Sequence, residues 1–147
     1  MLSKPLSILS VIVWVGCLGL SSVSAGDWSP GLLAGVETID MRTIGPEEGE
    51  YWFPVWVVVI DDQAYVRLGS RAAERIETNE TGSEIAVRVG DLQFDHVRVE
   101  KAPELADRVA EQMAEKYWSD IFIRFFPHPL TLRLGVDAAA EGTRSTE

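Results

Sequence analysis

One cysteine and two histidines are all the soft metal-binding chemistry in this sequence. The cysteine, Cys17, lies in an apolar N-terminal run, so the rest of the chain has no thiol with which to form a disulfide, a thiolate nucleophile or a thiolate metal site. His96 and His128 stand without an Asp/Glu/His cluster at ligand spacing, which argues against a metal site. Asp95 and His96 point to opposite faces of a strand and form no dyad. Glycine-rich phosphate loops, nucleophile elbows and helical HExxH patterns are also missing, so hydrolase chemistry has no support and no catalytic residue is assigned. Basic charge is scarce: 13 Lys and Arg stand against 23 Asp and Glu, a formal net charge of −10. Such a chain repels phosphate backbones, so nucleic acid is not an expected partner.

The first 25 residues read as a signal peptide. Lys4 supplies the positive start, Leu6 to Leu20 is apolar, and Val23-Ser24-Ala25 forms a small-residue cleavage site. The apolar run is shorter than the ~20 residues of a membrane-spanning helix. An uncleaved leader would be the one route to the membrane. Export, to a bacterial periplasm, is therefore the expected localisation, and no twin-arginine pair marks the leader for folded export. Residues 26–35 are expected to be a flexible linker, 36–136 the folded domain and 137–147 a disordered tail. About 120 residues after the leader are enough for one cored domain.

The domain is organised around Tyr51 to Arg71. Val55 to Ile60 is an apolar, β-branched run, Gln63 to Gly69 is a second strand, and Asp61-Asp62 is short enough for a hairpin turn. Before it, Val36 to Thr43 alternates, with Ile39 and Met41 inward, and Ile44 to Glu50 is expected to be a loop. After it, Ser70 to Asn79 predicts one short helix. Asn79 to Ser83 is a turn that also spells a glycosylation sequon. Ile85, Val87 and Val89 mark a half-buried strand, Gly90-Asp91 a turn, and Leu92 to Glu100 a strand whose Phe94 breaks parity and predicts a bulge or a second packing surface. Pro103 opens a helix to Tyr117, with Leu105, Val109, Met113 and Tyr117 down one side. Ser119 to Pro127 is strongly apolar and is expected to be a second helical turn or an irregular closing segment. Pro129 to Val136 is the last strand, with Leu130, Leu132 and Leu134 inward. Antiparallel strands with few helices, closed by a final strand, imply a small closed or half-closed barrel.

This order, with Arg42-Thr43, Pro54 to Val59, Ala64 to Arg67, Val89-Gly90, Ala114 to Tyr117 and Thr131 to Leu134, resembles the flavin-binding split-barrel superfamily typified by pyridoxamine phosphate oxidases and deazaflavin-dependent reductases. The likeness is to an uncharacterised branch of it and spans Glu37 to Val136. It implies a mainly β (α+β) fold, a split antiparallel β-barrel with one main helix and one short helix. It also implies a homodimer with the cofactor in a groove at the dimer interface. The cofactor would be FMN or a deazaflavin, held by Arg42, Thr43, Arg67, Ser70 and Arg71 around phosphate, with Trp56 and Trp52 near the ring. If the protein is an enzyme, the resemblance implies a flavin-dependent oxidoreductase.

Read from the residues alone, the arginines are also consistent with surface pairs on an acidic protein, and the tryptophans with core or interface positions. Arg67 stands apart, because it shares a strand face with Tyr65 and an enclosed arginine needs a partner. Two functions stay open: a binder of a flavin-type cofactor or other small ligand, and a cofactor-free periplasmic binding or structural module.

Overall fold

The computed structural model describes residues 21–22, 28–117 and 127–136. Residues 1–20 and 23–27, the apolar segment holding Phe122, Phe125 and Phe126, and residues 137–147 lie outside the described residues.

Strands β2 (Thr38–Gly45), β3 (Gly49–Ile60), β4 (Gln63–Leu68), β5 (Glu84–Val89), β6 (Leu92–Lys101) and β7 (Leu130–Gly135) form one antiparallel sheet in the order β6-β5-β2-β3-β4-β7. β7 pairs with β4 on one side and with β6 on the other, so the sheet closes into a barrel. A two-residue strand, β1 (Ser21–Ser22), runs parallel to Leu92–Gln93. The main helix α3 (Ala106–Lys116), preceded by a 3-10 turn at Pro103–Leu105, lies outside the barrel, and the short helix α2 (Ser70–Glu77) lies at one end. The mainly β barrel is the fold expected from the sequence, with one helix more than the main and short helices expected.

Strand alternation builds two apolar layers. Met41, Val57, Val66, Val87, Val97 and Leu132 fill the barrel interior, each at most 1 % exposed. Val58, Ile60 and Tyr65, on the outer face of the same hairpin, are covered by Val109, Met113 and Tyr117 of the α3 side. Burying a side chain of this size stabilises the fold by about 1.5–3 kcal/mol. β3 is thus apolar on both faces, which explains its unbroken Val-Val-Val-Ile run.

The turns follow local chemistry. Asp61 and Asp62 both take positive φ, 50° and 58°, in the two-residue connection between Ile60 and Gln63. That handedness suits the twist of a hairpin, and aspartate tolerates it better than most residues. Gly90, at φ 58°, turns β5 into β6. The parity break at Phe94 is a bulge: Val87 faces Phe94 while Ile85 faces Val97, so β6 carries one extra residue and both apolar groups stay inside.

Two expectations need correction. The loop over Ile44 to Glu50 is much shorter, because Gly45 already pairs with Gly49 and Ile44 with Glu50. Phe53 and Val55 carry the inward alternation toward that turn, Tyr51 of the same parity is exposed, and Gly49 supplies the positive φ at the turn. Residues 26–35 are not all linker. Ser29 caps a helix, α1 (Pro30–Ala34), through its hydroxyl, which accepts from the Leu32 amide at 3.3 Å. Leu33 is fully buried in the barrel core, and Trp28 meets Phe94 edge-on at 5.1 Å. The capping serine, the N-terminal proline and two leucines outweigh the glycines. The sequon asparagine is 8 % exposed, and its side-chain amide is spent inside the fold. It accepts from the Ile44 amide at 2.9 Å and donates to the Gly82 carbonyl at 2.9 Å.

Leu33→Ala is expected to destabilise the protein by about 2–5 kcal/mol, the usual range for a buried leucine. Urea unfolding checks this; a loss below about 0.5 kcal/mol is what a solvated tether would show.

Candidate functional site

The site begins with register. On the outer face of the barrel, Thr38 stands opposite Trp56 and Arg67 opposite Thr131. Trp56 and Arg67 meet one rung beyond the Val57–Val66 pair. These residues form a row across four strands, just past the end of the helix that covers the same face higher up. α3 contributes Met113, the start of α2 contributes Gly69 and Ala72, and His128 enters from the segment before β7. The groove between them has a volume of about 290 Å³, with Pro54 and Trp56 on its β3 side. Pro54 is tolerated in β3 because it lies beyond the last rung to β4, so no ladder donor is lost there.

Arg67 is half-buried, with its Nη2 3.4 Å from His128 Nδ1. In that contact the guanidinium donates and the imidazole accepts. Trp56 is stacked on Tyr117, ring centroids 4.7 Å apart and planes 8° from parallel. The Tyr117 hydroxyl is buried against backbone, accepting from the Val57 amide at 3.3 Å and lying near the carbonyls of Glu37 and Val57. Burial pushes its pKa up, opposed in part by the hydrogen bond with Val57. Lys116 is exposed along its stem, yet its ammonium donates to the carbonyls of Val36 at 2.7 Å and Val57 at 2.8 Å. Desolvation lowers its pKa, opposed by Glu37.

The residues assigned to a cofactor by resemblance do not converge. Trp56 and Arg67 share the groove. Ser70 lines a neighbouring cleft of about 400 Å³ with Glu74, Glu77 and Lys101, and His128 borders both cavities. Arg71 is exposed on α2 and lines neither. Arg42 sits higher on the outer face, paired with Glu50 at 3.5 Å and 5.7 Å from the Trp52 ring. Arg88 covers that ring more closely, at 3.7 Å. Thr43 is 1 % exposed and belongs to the barrel interior, because it shares parity with Ile39 and Met41. It cannot meet a ligand on the outer face. Arg75 is committed elsewhere: it forks onto Glu48 with both bonds at 2.9 Å and lies 4.0 Å over Tyr51.

Sequence reasoning gave His128 no role once a metal cluster was set aside, and missed Lys116 and Tyr117 as anything beyond helix residues. A buried tyrosine needs a partner for its hydroxyl, and that was the available signal. His96 is exposed and bonded to Glu84 at 2.7 Å. Among the described residues, no group of three or more His, Cys, Asp or Glu is arranged to hold a metal ion. No described helix is long and apolar enough to cross a membrane.

Solved structures place this architecture. The heme storage protein HutZ from Vibrio cholerae aligns over 73 % of this chain and 86 % of its own, with a TM-score of 0.55 and 16 % identity. Conserved hypothetical protein Rv2991 from Mycobacterium tuberculosis aligns over 71 % and 75 %, with a TM-score of 0.52 and 17 % identity. An F420-H2-dependent reductase, FDR-A, aligns over 67 % and 93 %, with a TM-score of 0.50 and 11 % identity. At these identities the likeness shows the fold alone. The fold of this chain is a split barrel. No protein-family model matches the sequence, and no curated protein matches it.

In this split barrel the raised pKa of Tyr117 fixes the sign of a pH effect. The folded state holds the phenol proton above the ordinary value of 10.0. Its contribution is complete below that value and is lost as pH rises through the folded pKa. Lys116, with a lowered pKa, acts in the opposite sense and is common to wild type and Tyr117→Phe. Between about pH 8 and about pH 11 the wild type is therefore expected to lose urea stability relative to Tyr117→Phe. Parallel pH dependence of the two proteins would contradict this.

Proposed function

We propose that the protein binds a flat, ring-bearing, anionic small molecule in the groove between Trp56 and the Arg67–His128 pair, a flavin-type cofactor being the leading class. The observation that carries this reading is a half-buried arginine at one side of an otherwise largely apolar, tryptophan-lined groove. An enclosed guanidinium beside apolar walls is suited to a phosphate or carboxylate arm, and the aromatic edge to a planar ring. Fold neighbours include a heme storage protein and an F420-H2-dependent reductase, which supports a ligand of this general shape.

The residues fit one anionic group and one ring contact. Arg42, Thr43 and Arg71 lie away from the groove, so Arg67 and His128 are the chain's own anchors for the anion. A volume of about 290 Å³ is at the low end of small-molecule sites, roughly 300–1,000 Å³. A second copy of the chain would complete it, and one fold neighbour is described as a domain-swapped dimer. Homodimerisation is therefore part of the proposal, as is export, which rests on the leader sequence. A bound flavin or deazaflavin would supply hydride chemistry. The groove's own residues would bind and orient it and limit its contact with water.

A cofactor-free binding or structural module is the second reading. It is favoured by Glu74 and Glu77 in the adjoining cleft, which oppose an anion, and by the dispersed arginines.

Titration of the whole chain with FMN, F420 and heme separates the two readings. A ligand that binds only the folded state raises the melting temperature. Arg67→Ala is expected to weaken that ligand by about 10- to 100-fold, the equivalent of a charge-assisted hydrogen bond of about 1.5–3 kcal/mol. No thermal shift with any of the three would favour the cofactor-free module.

A further inference from the structure

The β2–β3 ladder stops where the groove starts. Thr38–Trp56 is its last pair, and the next rung would join Glu37 to Val57. That rung is not made. The Tyr117 hydroxyl stands in its place, accepting from the Val57 amide at 3.3 Å and reaching the Glu37 carbonyl. Lys116 spans the same gap one residue further on, with one ammonium bonded to Val36 at 2.7 Å and Val57 at 2.8 Å. Two consecutive side chains at the end of α3 thus take over backbone groups that a sheet would otherwise pair with one another. The same Tyr117 ring lies flat on Trp56. The gap between the two strands and the orientation of the groove's indole are set by one pair of residues.

We propose that Lys116 and Tyr117 are positioning residues: they pin β2 and β3 at a fixed separation and hold Trp56 in the orientation in which the groove receives its ligand. Neither needs to touch the ligand. The ligand part of this rests on the binding function proposed above, whereas the pin itself does not. A hydroxyl can accept one bond and donate one, and an ammonium can donate three, so the pair can satisfy peptide groups on both strands at once. A phenylalanine keeps the ring stack and loses the link. A methionine keeps the stem of the lysine and loses both carbonyl bonds.

The test uses the full chain with Tyr117→Phe, Lys116→Met and a control, Val109→Ala. Val109 is a buried residue of the same helix but lies outside the groove. Hydrogen exchange at the Val57 amide reads the pin without any ligand. It is expected to be about tenfold faster in Tyr117→Phe than in wild type, and no more than slightly faster in Val109→Ala. Unchanged exchange at Val57 in Tyr117→Phe overturns the pin. Affinity for whichever of FMN, F420 or heme binds the wild type reads the positioning role. It is expected to fall about tenfold in Tyr117→Phe and in Lys116→Met. Val109→Ala, with at least as large a drop in melting temperature, is expected to retain wild-type affinity. If affinity follows melting temperature across all three variants, the residues are structural only and the positioning role is refuted. If the wild type binds none of the three ligands, the binding function fails, and Val57 exchange still decides the pin.

Discussion

The structure depends on β7 having two partners. Five strands in the order β6-β5-β2-β3-β4 make an open sheet with two edges, and an open sheet of this apolar content has nowhere to bury its inner face. β7 bonds to β4 through Ala64–Leu134 to Leu68–Leu130 and to β6 through Arg98–Gly135 to Lys101–Leu132. One short strand thereby removes both edges and encloses the interior valines and leucines. With no cysteine beyond Cys17, closure and packing carry what a disulfide would otherwise supply. The Ala102 amide, bonded to the Thr131 carbonyl at 2.9 Å, ties the approach to α3 to that same strand.

Much of this was legible in the sequence because period-two alternation is a physical signature of a half-buried strand. Ile39 and Met41, then Ile85, Val87 and Val89, and the leucines at 130, 132 and 134 announced their faces directly. Even the bulge was readable, since Phe94 is an apolar residue of the wrong parity. The errors have a common source. Gly45-Pro46 and Gly49 looked like the bounds of a loop, but glycine and proline at a tight turn permit strands right up to it. Gly31 and Gly35 looked like a tether, but a single fully buried leucine outweighs them. Local punctuation says where a chain can bend. It does not say how soon regular pairing resumes on either side.

The site was much less legible. Parity alone separates Thr43 from Arg42, but which barrel face is open requires knowing where α3 ends. The row of Thr38, Trp56, Arg67 and Thr131 comes from four strands, two of them more than sixty residues apart in sequence. His128 entered that row through a tertiary contact with Arg67 that no spacing encodes. The resemblance pointed to the correct scaffold and to Arg67 and Trp56 as neighbours. It also drew in Arg42 and Arg71, neither of which lines the groove.

The buried leucine of α1 has a consequence for how the molecule comes together. Leu33 rests against the barrel interior, and that interior has no complete wall until β7, from the far end of the domain, is seated. An early segment therefore waits on a late one. Few of the decisive contacts are local, and the entropy of joining distant segments must be met before their burial is gained. Folding of this barrel is accordingly expected to be slow for its size, with the N-terminal helix settling as the last stave is driven home.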